Sequence, residues 1–164
     1  MELKTAETIA GKIKELLQPS CVRVEVAGSI RRRRLFVHDI DLVVIPGNQG
    51  AFLGVLSTLG TIKVKGQKLL RVDPSRYGVP VDVYVATSET WVTLLLIRTG
   101  SAGHNVKLCK LARSKGMILH ADGRGLVHPG DNEIALESPV LCDTEESIFK
   151  ALGLPYVPPE KREV

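Results

Sequence analysis

The run Val37-His38-Asp39-Ile40-Asp41-Leu42-Val43-Val44-Ile45 embeds two carboxylates in a β-rich, apolar stretch that Pro46-Gly47 brings to a stop. Alternate residues of a strand share a face, so Asp39 and Asp41 converge while Ile40 points the other way. Like charges so placed call for a cation. Asp82 lies in a similar run, Val81-Asp82-Val83-Tyr84-Val85. If the two runs are sheet neighbours, the three carboxylates form one cluster of hard oxygen ligands suited to Mg2+ or Mn2+. A lone Asp usually ends its strand at a solvated edge, but a pair inside an apolar run is harder to explain that way. Asp73, before Pro74, reads as a turn residue.

Ahead of the carboxylates, Ser29 follows Gly28 at the exit of an alternating strand (Val22, Val24, Val26), and Arg31 to Arg34 come directly after. A hydroxyl, turn amides and a guanidinium meeting near metal-binding carboxylates suit a triphosphate. A Gly-Ser turn alone is weak evidence. The ordered set Gly28-Ser29, Arg32, Asp39, Asp41 and a later strand Asp82 is far more specific.

The remainder of the chain supplies a globular frame. With 164 residues, 44% of them hydrophobic and 24% charged, it can bury roughly 70% of its unfolded surface, which excludes disorder as the main state. Apolar runs such as Leu94 to Ile97 fall far short of the ~20 residues that cross a bilayer. The N-terminal segment has no signal-like apolar block, so the expectation is an intracellular protein that does not engage membranes. Cys21, Cys109 and Cys142 lack paired spacing and are expected to be free thiols. The net charge of +4 is unevenly spread: Arg98 to His120 contains Arg98, Lys107, Lys110, Arg113 and Lys115 and no acid, a concentration that fits a polyanion.

Ile9, Ile13, Leu16 and Leu17 predict a first helix capped by Thr5. Ala51 to Leu59 reads as helix, Ile62 to Val64 and Leu69 to Val72 as a strand pair, and Val79 to Val85 as a strand. Two helices follow, Thr90 to Ile97 and about Ala102 to Ser114, then a hairpin about Asp122-Gly123 and a helix from Thr144 to Leu152. The change of content near Ser88 divides the chain into a sheet lobe, residues 1–87, and a smaller helix-and-hairpin lobe, residues 88–164. His104, His120 and His128 are read as surface or turn residues, and Trp91 and Phe149 as core.

Gly28-Ser29-Ile30-Arg31-Arg32 followed by Asp39-Ile40-Asp41 and Asp82 resembles the nucleotidyltransferase palm of the family X DNA polymerases. Arg98-Thr99-Gly100-Ser101 with Asn105 is similar to that family's sugar- and base-contacting turn and helix, and Glu146 to Phe149 with Leu152 to Glu163 resembles its C-terminal signature. The resemblance implies an α+β fold: a palm with a mixed β-sheet flanked by helices, plus a small C-terminal thumb. It implies that Asp39 and Asp41 bind two Mg2+ ions and that Asp82 binds the one activating the primer 3′-hydroxyl. Ser29 and Arg32 would hold the triphosphate, Gly100 would lie against the sugar, and Asn105 would reach the minor-groove edge of a base. His38, counted with the nucleotide-binding residues, stands where many members have Gly: the backbone contact to phosphate can persist there while the imidazole adds a contact or packs. Ile97-Arg98 stands where many members have Tyr-Phe, which leaves the choice between deoxyribose and ribose open.

The activity so implied is template-directed addition of dNTPs to a primer at short gaps, as in DNA repair, by a monomer acting on primer-template or gapped DNA. Only 27 residues precede Gly28, which leads to the expectation of a palm and thumb without lyase or helix-hairpin-helix segments, like the short virus-encoded members. DNA would then be gripped by the exposed face of the helix from about Ala102, where Lys107, Lys110 and Arg113 recur at threes. Two other readings remain: a template-independent nucleotidyltransferase acting on a small molecule, protein or RNA end, and a non-catalytic nucleic-acid-binding module.

Overall fold

The computed structural model describes residues 1–130 and 138–163. Helix α1 (Leu3–Leu17) buries Ala6, Ala10, Ile13 and Leu17, a stripe at helical spacing. Its N-cap is Glu2 rather than Thr5, and no side chain caps it. A 3-10 turn, Gln18–Ser20, follows with Pro19 inside it. Strand β1 (Cys21–Val26) leads into α2 (Gly28–Arg31), one turn of helix where the sequence suggests only a tight turn. Next come β2 (Ile40–Pro46), α3 (Gln49–Leu59), β3 (Gly60–Lys65), β4 (Leu69–Ser75) and β5 (Val81–Val85). Asn48 caps α3, its side-chain oxygen accepting from the Ala51 amide at 2.9 Å.

These strands form one sheet in the order β1-β2-β5-β4-β3. The β2/β5 pair is parallel and the other pairs are antiparallel, so the sheet is mixed. On one face Ile40, Leu42, Val44, Val81 and Val83 pack with Ile13 and Leu17 of α1 and Phe52, Leu56 and Leu59 of α3. On the other, Val43, Ile45 and Tyr84 meet Trp91, Leu94 and Leu95 of α4 (Trp91–Thr99). Alternation therefore sends Asp41 and Asp82 to the α4 side.

After α4 come α5 (Ala102–Ser114), β6 (Ile118–His120), β7 (Gly125–His128), β8 (Ser138–Val140) and α6 (Glu145–Ala151). The hairpin about Asp122-Gly123 is present, and β8 adds a third strand that three residues containing a proline do not announce. Leu96, Leu108, Ala112, Leu119, Leu126, Ile148 and Phe149 make a second core. His104 belongs with it: it is 7% exposed, not a surface residue, and its ring lies 5.8 Å from that of Phe149. The reason is visible in the sequence, because His104, Leu108 and Ala112 repeat every four residues on the buried stripe of α5. Trp91 and Phe149 are core residues, and all three cysteines are free.

A buried ionic node ties the chain's later residues to α2. Arg162 is fully buried, with Nη2 donating to Glu145 Oε2 at 2.8 Å and Nε to the Val157 carbonyl at 2.8 Å. Arg31 Nη1 donates to the other carboxylate oxygen of Glu145 and to Thr99 Oγ1, both at 2.6 Å. Among the described residues no helix is long and apolar enough to cross a membrane.

Candidate active site

Parallel pairing of β2 and β5 sets Asp41 directly opposite Asp82. Asp39 immediately precedes β2 instead of lying within it, and the Ile40 amide donates to the Pro80 carbonyl at 3.0 Å, fixing the entry to both strands. Asp82 is 6% exposed. Burial raises the Asp41 pKa to about 7, assisted by the charges of Asp39 and Asp82 and opposed by Arg32 and by a hydrogen bond from Tyr84. Burial also raises Asp82, with Arg71 pulling the other way and Asp39 adding to the rise. Tyr84 in turn is pushed up to about 12 by burial and by the Asp41 and Asp82 charges. The Arg98 guanidinium lies 4.3 Å from the centre of the Tyr84 ring.

The three carboxylates thus share one end of the sheet and feel one another's charge, but they do not close into a ready cage. Among the described residues no three His, Cys, Asp or Glu side chains are gathered to enclose an ion. Repulsion disfavours closer approach, and Arg71 Nη1 engages Asp82 Oδ2 at 3.1 Å. Asp82 Oδ1 is buried with no hydrogen-bond partner. An orphaned carboxylate oxygen, a directly opposed second carboxylate held away from its charged form, and a third beside them make a hard-oxygen donor set that fits a divalent cation.

The phosphate side is built by α2 and the loop after it. Gly28 adopts φ +58°, and a Cβ there would lie 1.8 Å from Asp41 Oδ2, so glycine is what lets this turn pass over the carboxylate. Ser29 Oγ is buried and unpartnered. Arg32 Nη1 donates to the Thr99 carbonyl, and a Cβ on Gly100 would come within 3.0 Å of that same nitrogen. The Ser29-Arg32 segment and the Thr99-Gly100 turn are therefore in contact although far apart in sequence. Ser29, Arg32, Arg34, His38 and Asp39 line a cavity of about 450 Å3, with His38 exposed at its edge.

Asn105 of α5 is oriented by the end of the preceding helix, α4: its Nδ2 donates to the Ile97 carbonyl at 2.8 Å and its Oδ1 is buried without a partner. Lys107, Lys110 and Arg113 are all exposed on α5, while Leu108 and Ala112 are buried. Sequence reasoning did not find Arg71, Tyr84 or Glu163 as neighbours of the site. Arg71 faces Asp82 across the β4/β5 register, a relation that only strand pairing reveals.

Residues 94–163 match the family model described as DNA polymerase beta thumb. The DNA polymerase/3′-5′ exonuclease PolX of Bacillus subtilis (strain 168) is 30% identical over 161 residues, covering 94% of this chain and 27% of that protein. DNA polymerase lambda of Rattus norvegicus is 31% identical over 138 residues, covering 82% of this chain and 22% of the relative. The chain therefore spans about a quarter of the length of these two relatives. Repair DNA polymerase X of African swine fever virus (isolate Warthog/Namibia/Wart80/1980) is 24% identical over 160 residues, covering 93% of this chain and 86% of that protein. A crystal structure of Leishmania infantum polymerase beta, a ternary gap complex, superposes with a TM-score of 0.83 at 21% identity, covering 100% of this chain and 71% of that one. The primer-template ternary complex of the same protein gives 0.79 at 22%, covering 100% and 77%. These likenesses establish the fold, an α+β architecture about a mixed sheet. The family match and the sequence relatives show that the chain belongs to the family X DNA polymerases.

Proposed function

We propose that this chain catalyses template-directed addition of deoxynucleotides to a primer 3′-hydroxyl at short gaps, in DNA repair. The observation that carries the reading is the direct opposition of Asp41 and Asp82 across β2/β5, beside a loop whose Ser29 and Arg32 face the same cavity as Asp39. In the reaction the primer oxygen bonds to the α-phosphorus, the bond from that phosphorus to the bridging oxygen breaks, and pyrophosphate leaves. Asp39, Asp41 and Asp82 would hold two divalent ions, Mg2+ or Mn2+, which when bound supply Lewis acidity and acidify the attacking hydroxyl.

The protein's own groups bind and orient. Arg32, braced by the Thr99 carbonyl, meets the negative charge of the leaving pyrophosphate. Ser29 Oγ, already out of water and unpartnered, offers its hydroxyl to a phosphate oxygen. Gly100 would lie against the sugar, and Asn105, whose Oδ1 has no partner, would reach the minor-groove edge of a base. The face made by Lys107, Lys110 and Arg113 binds duplex phosphates.

The test is incorporation on a single-nucleotide gapped duplex with each of the four templating bases, alongside an unpaired primer. The reading expects Mg2+- or Mn2+-dependent insertion of the complementary nucleotide. Insertion that ignores the templating base would favour a template-independent nucleotidyltransferase, and salt-sensitive DNA binding with no turnover would favour a binding module.

A further inference from the structure

The Arg31 to Arg34 run presents more cations to the cavity than the proposed chemistry has used, and a carboxylate from the far end of the chain sits among them. Glu163 Oε1 accepts from Arg32 Nε at 2.5 Å, and its Oε2 lies 3.4 Å from Arg34 Nη1. Both arginines line the cavity that Ser29 and Asp39 share. Arg34 is brought there by the loop itself, whose Arg34 amide donates to the Ser29 carbonyl at 3.0 Å.

Two guanidiniums facing one cavity repel each other unless a counter-charge lies between them. A carboxylate bridging both supplies it. Glu163 takes the Nε edge of Arg32, and the Thr99 carbonyl takes one Nη1 hydrogen. With five donors on a planar fork, Arg32 keeps others for an anion, now held in a defined direction. Glu163 is only partly buried, with 34% of its side chain exposed, and its partners are cations of the nucleotide site, so its role in holding the core is small.

The structure assigns Glu163 to the nucleotide site as the positioning residue that holds Arg32 and Arg34 side by side against the incoming triphosphate. This deepens the proposed nucleotidyl transfer and rests on it. Glu163 does not touch the nucleotide; it acts through the two arginines.

The experiment compares wild type, Glu163→Gln and Glu163→Asp as full chains in single-nucleotide gap filling, with KM for dNTP and kcat determined separately. Equilibrium binding of a non-hydrolysable dNTP analogue is measured on the same proteins. The expected result for Glu163→Gln is a KM and a dissociation constant raised about tenfold, with kcat lowered less than about threefold. Glu163→Asp, which keeps the charge, should hold KM to within about threefold of wild type. Unchanged KM in Glu163→Gln overturns the inference while leaving the polymerase reading intact. A lowered KM also overturns it, because Glu163 would then be competing with the triphosphate for Arg32. A wild-type protein that neither incorporates nor binds nucleotide overturns both.

Discussion

Gly28 and Asp41 occupy the same space but for one methyl group: a Cβ on Gly28 would stand 1.8 Å from Asp41 Oδ2. Gly28→Ala must therefore move either the turn or the carboxylate, and φ +58° adds backbone strain of about 1 kcal/mol. Incorporation should fall by at least about 100-fold, while thermal unfolding shifts by only a few degrees. Gap filling at the wild-type rate by Gly28→Ala would show that Asp41 is not held where the reaction needs it.

Asp41 is destabilised as a charge by burial and by its two carboxylate neighbours. Asp41→Asn removes that conflict with little change in volume. The variant should melt at or above the wild-type temperature and lose at least about 100-fold in incorporation with DNA affinity largely kept. Retained turnover, tested by primer extension on the purified, folded variant, would contradict the assigned role.

The node at Glu145 sets the strength of the link between α2 and the later part of the chain. Removing that carboxylate strands Arg162, which is fully buried, and also releases Arg31. Glu145→Ala should cost about 3–5 kcal/mol in chemical denaturation, the scale for leaving one partner of a buried pair uncompensated. A cost below about 1 kcal/mol would mean that water reaches Arg162.

Two buried groups, His104 and Glu145, each give up stability in acid. Burial, with Arg162 nearby, lowers His104 from 6.5 to about 4. The unfolded chain therefore takes up that proton first, so the stability is full above pH 6.5 and is lost as the pH falls toward 4. Glu145 is also lowered: burial opposes its charged form, but hydrogen bonds and charge from Arg162 and Arg31 outweigh it. Its contribution is present above the ordinary carboxylate value of 4.5 and is lost as the pH falls through the depressed one. Asp41, raised to about 7, works the other way over the same range, because protonating it as the pH falls relieves a buried charge. The His104 contribution is therefore read by difference: the melting temperature of wild type relative to His104→Gln should fall as the pH drops from about 6.5 toward 4. A difference between the two proteins that stays level from pH 7 to pH 4 would contradict this.

If α5 carries the DNA, its contribution is electrostatic. Replacing Lys107, Lys110 or Arg113 by Ala should each reduce the slope of log Kobs against log salt by about one unit, without changing which nucleotide is inserted. Slopes that do not move would place the duplex elsewhere.

Much of this was legible in the residues because local pattern and tertiary need coincide. In α5, Ser101, the buried Leu108 and Ala112, and the exposed Lys107, Lys110 and Arg113 all state one orientation. The Asp41 and Asp82 runs could be recognised as strands, but that they are parallel neighbours in direct register depends on a crossover through α3, β3 and β4. Asp39 fell just outside β2, where Pro80 and not a strand residue is its neighbour's partner. Long-range ionic contacts were invisible for the same reason: Arg32 with Glu163, Arg31 with Glu145, and Arg71 with Asp82 are set by packing, and no spacing in the chain encodes them. His104 was misread because a histidine on an apolar stripe looks polar until its buried neighbours are counted.

The central claim is that the opposed carboxylates of β2 and β5 hold divalent ions for nucleotidyl transfer, and Mn2+ binding followed by electron paramagnetic resonance tests it most directly. With gapped DNA ending in a dideoxy primer and the matching dNTP present, the wild-type chain should bind two Mn2+ ions more than the same DNA and nucleotide bind alone. Asp41→Asn should lose at least one of them. Equal Mn2+ uptake by wild type and Asp41→Asn would contradict the account.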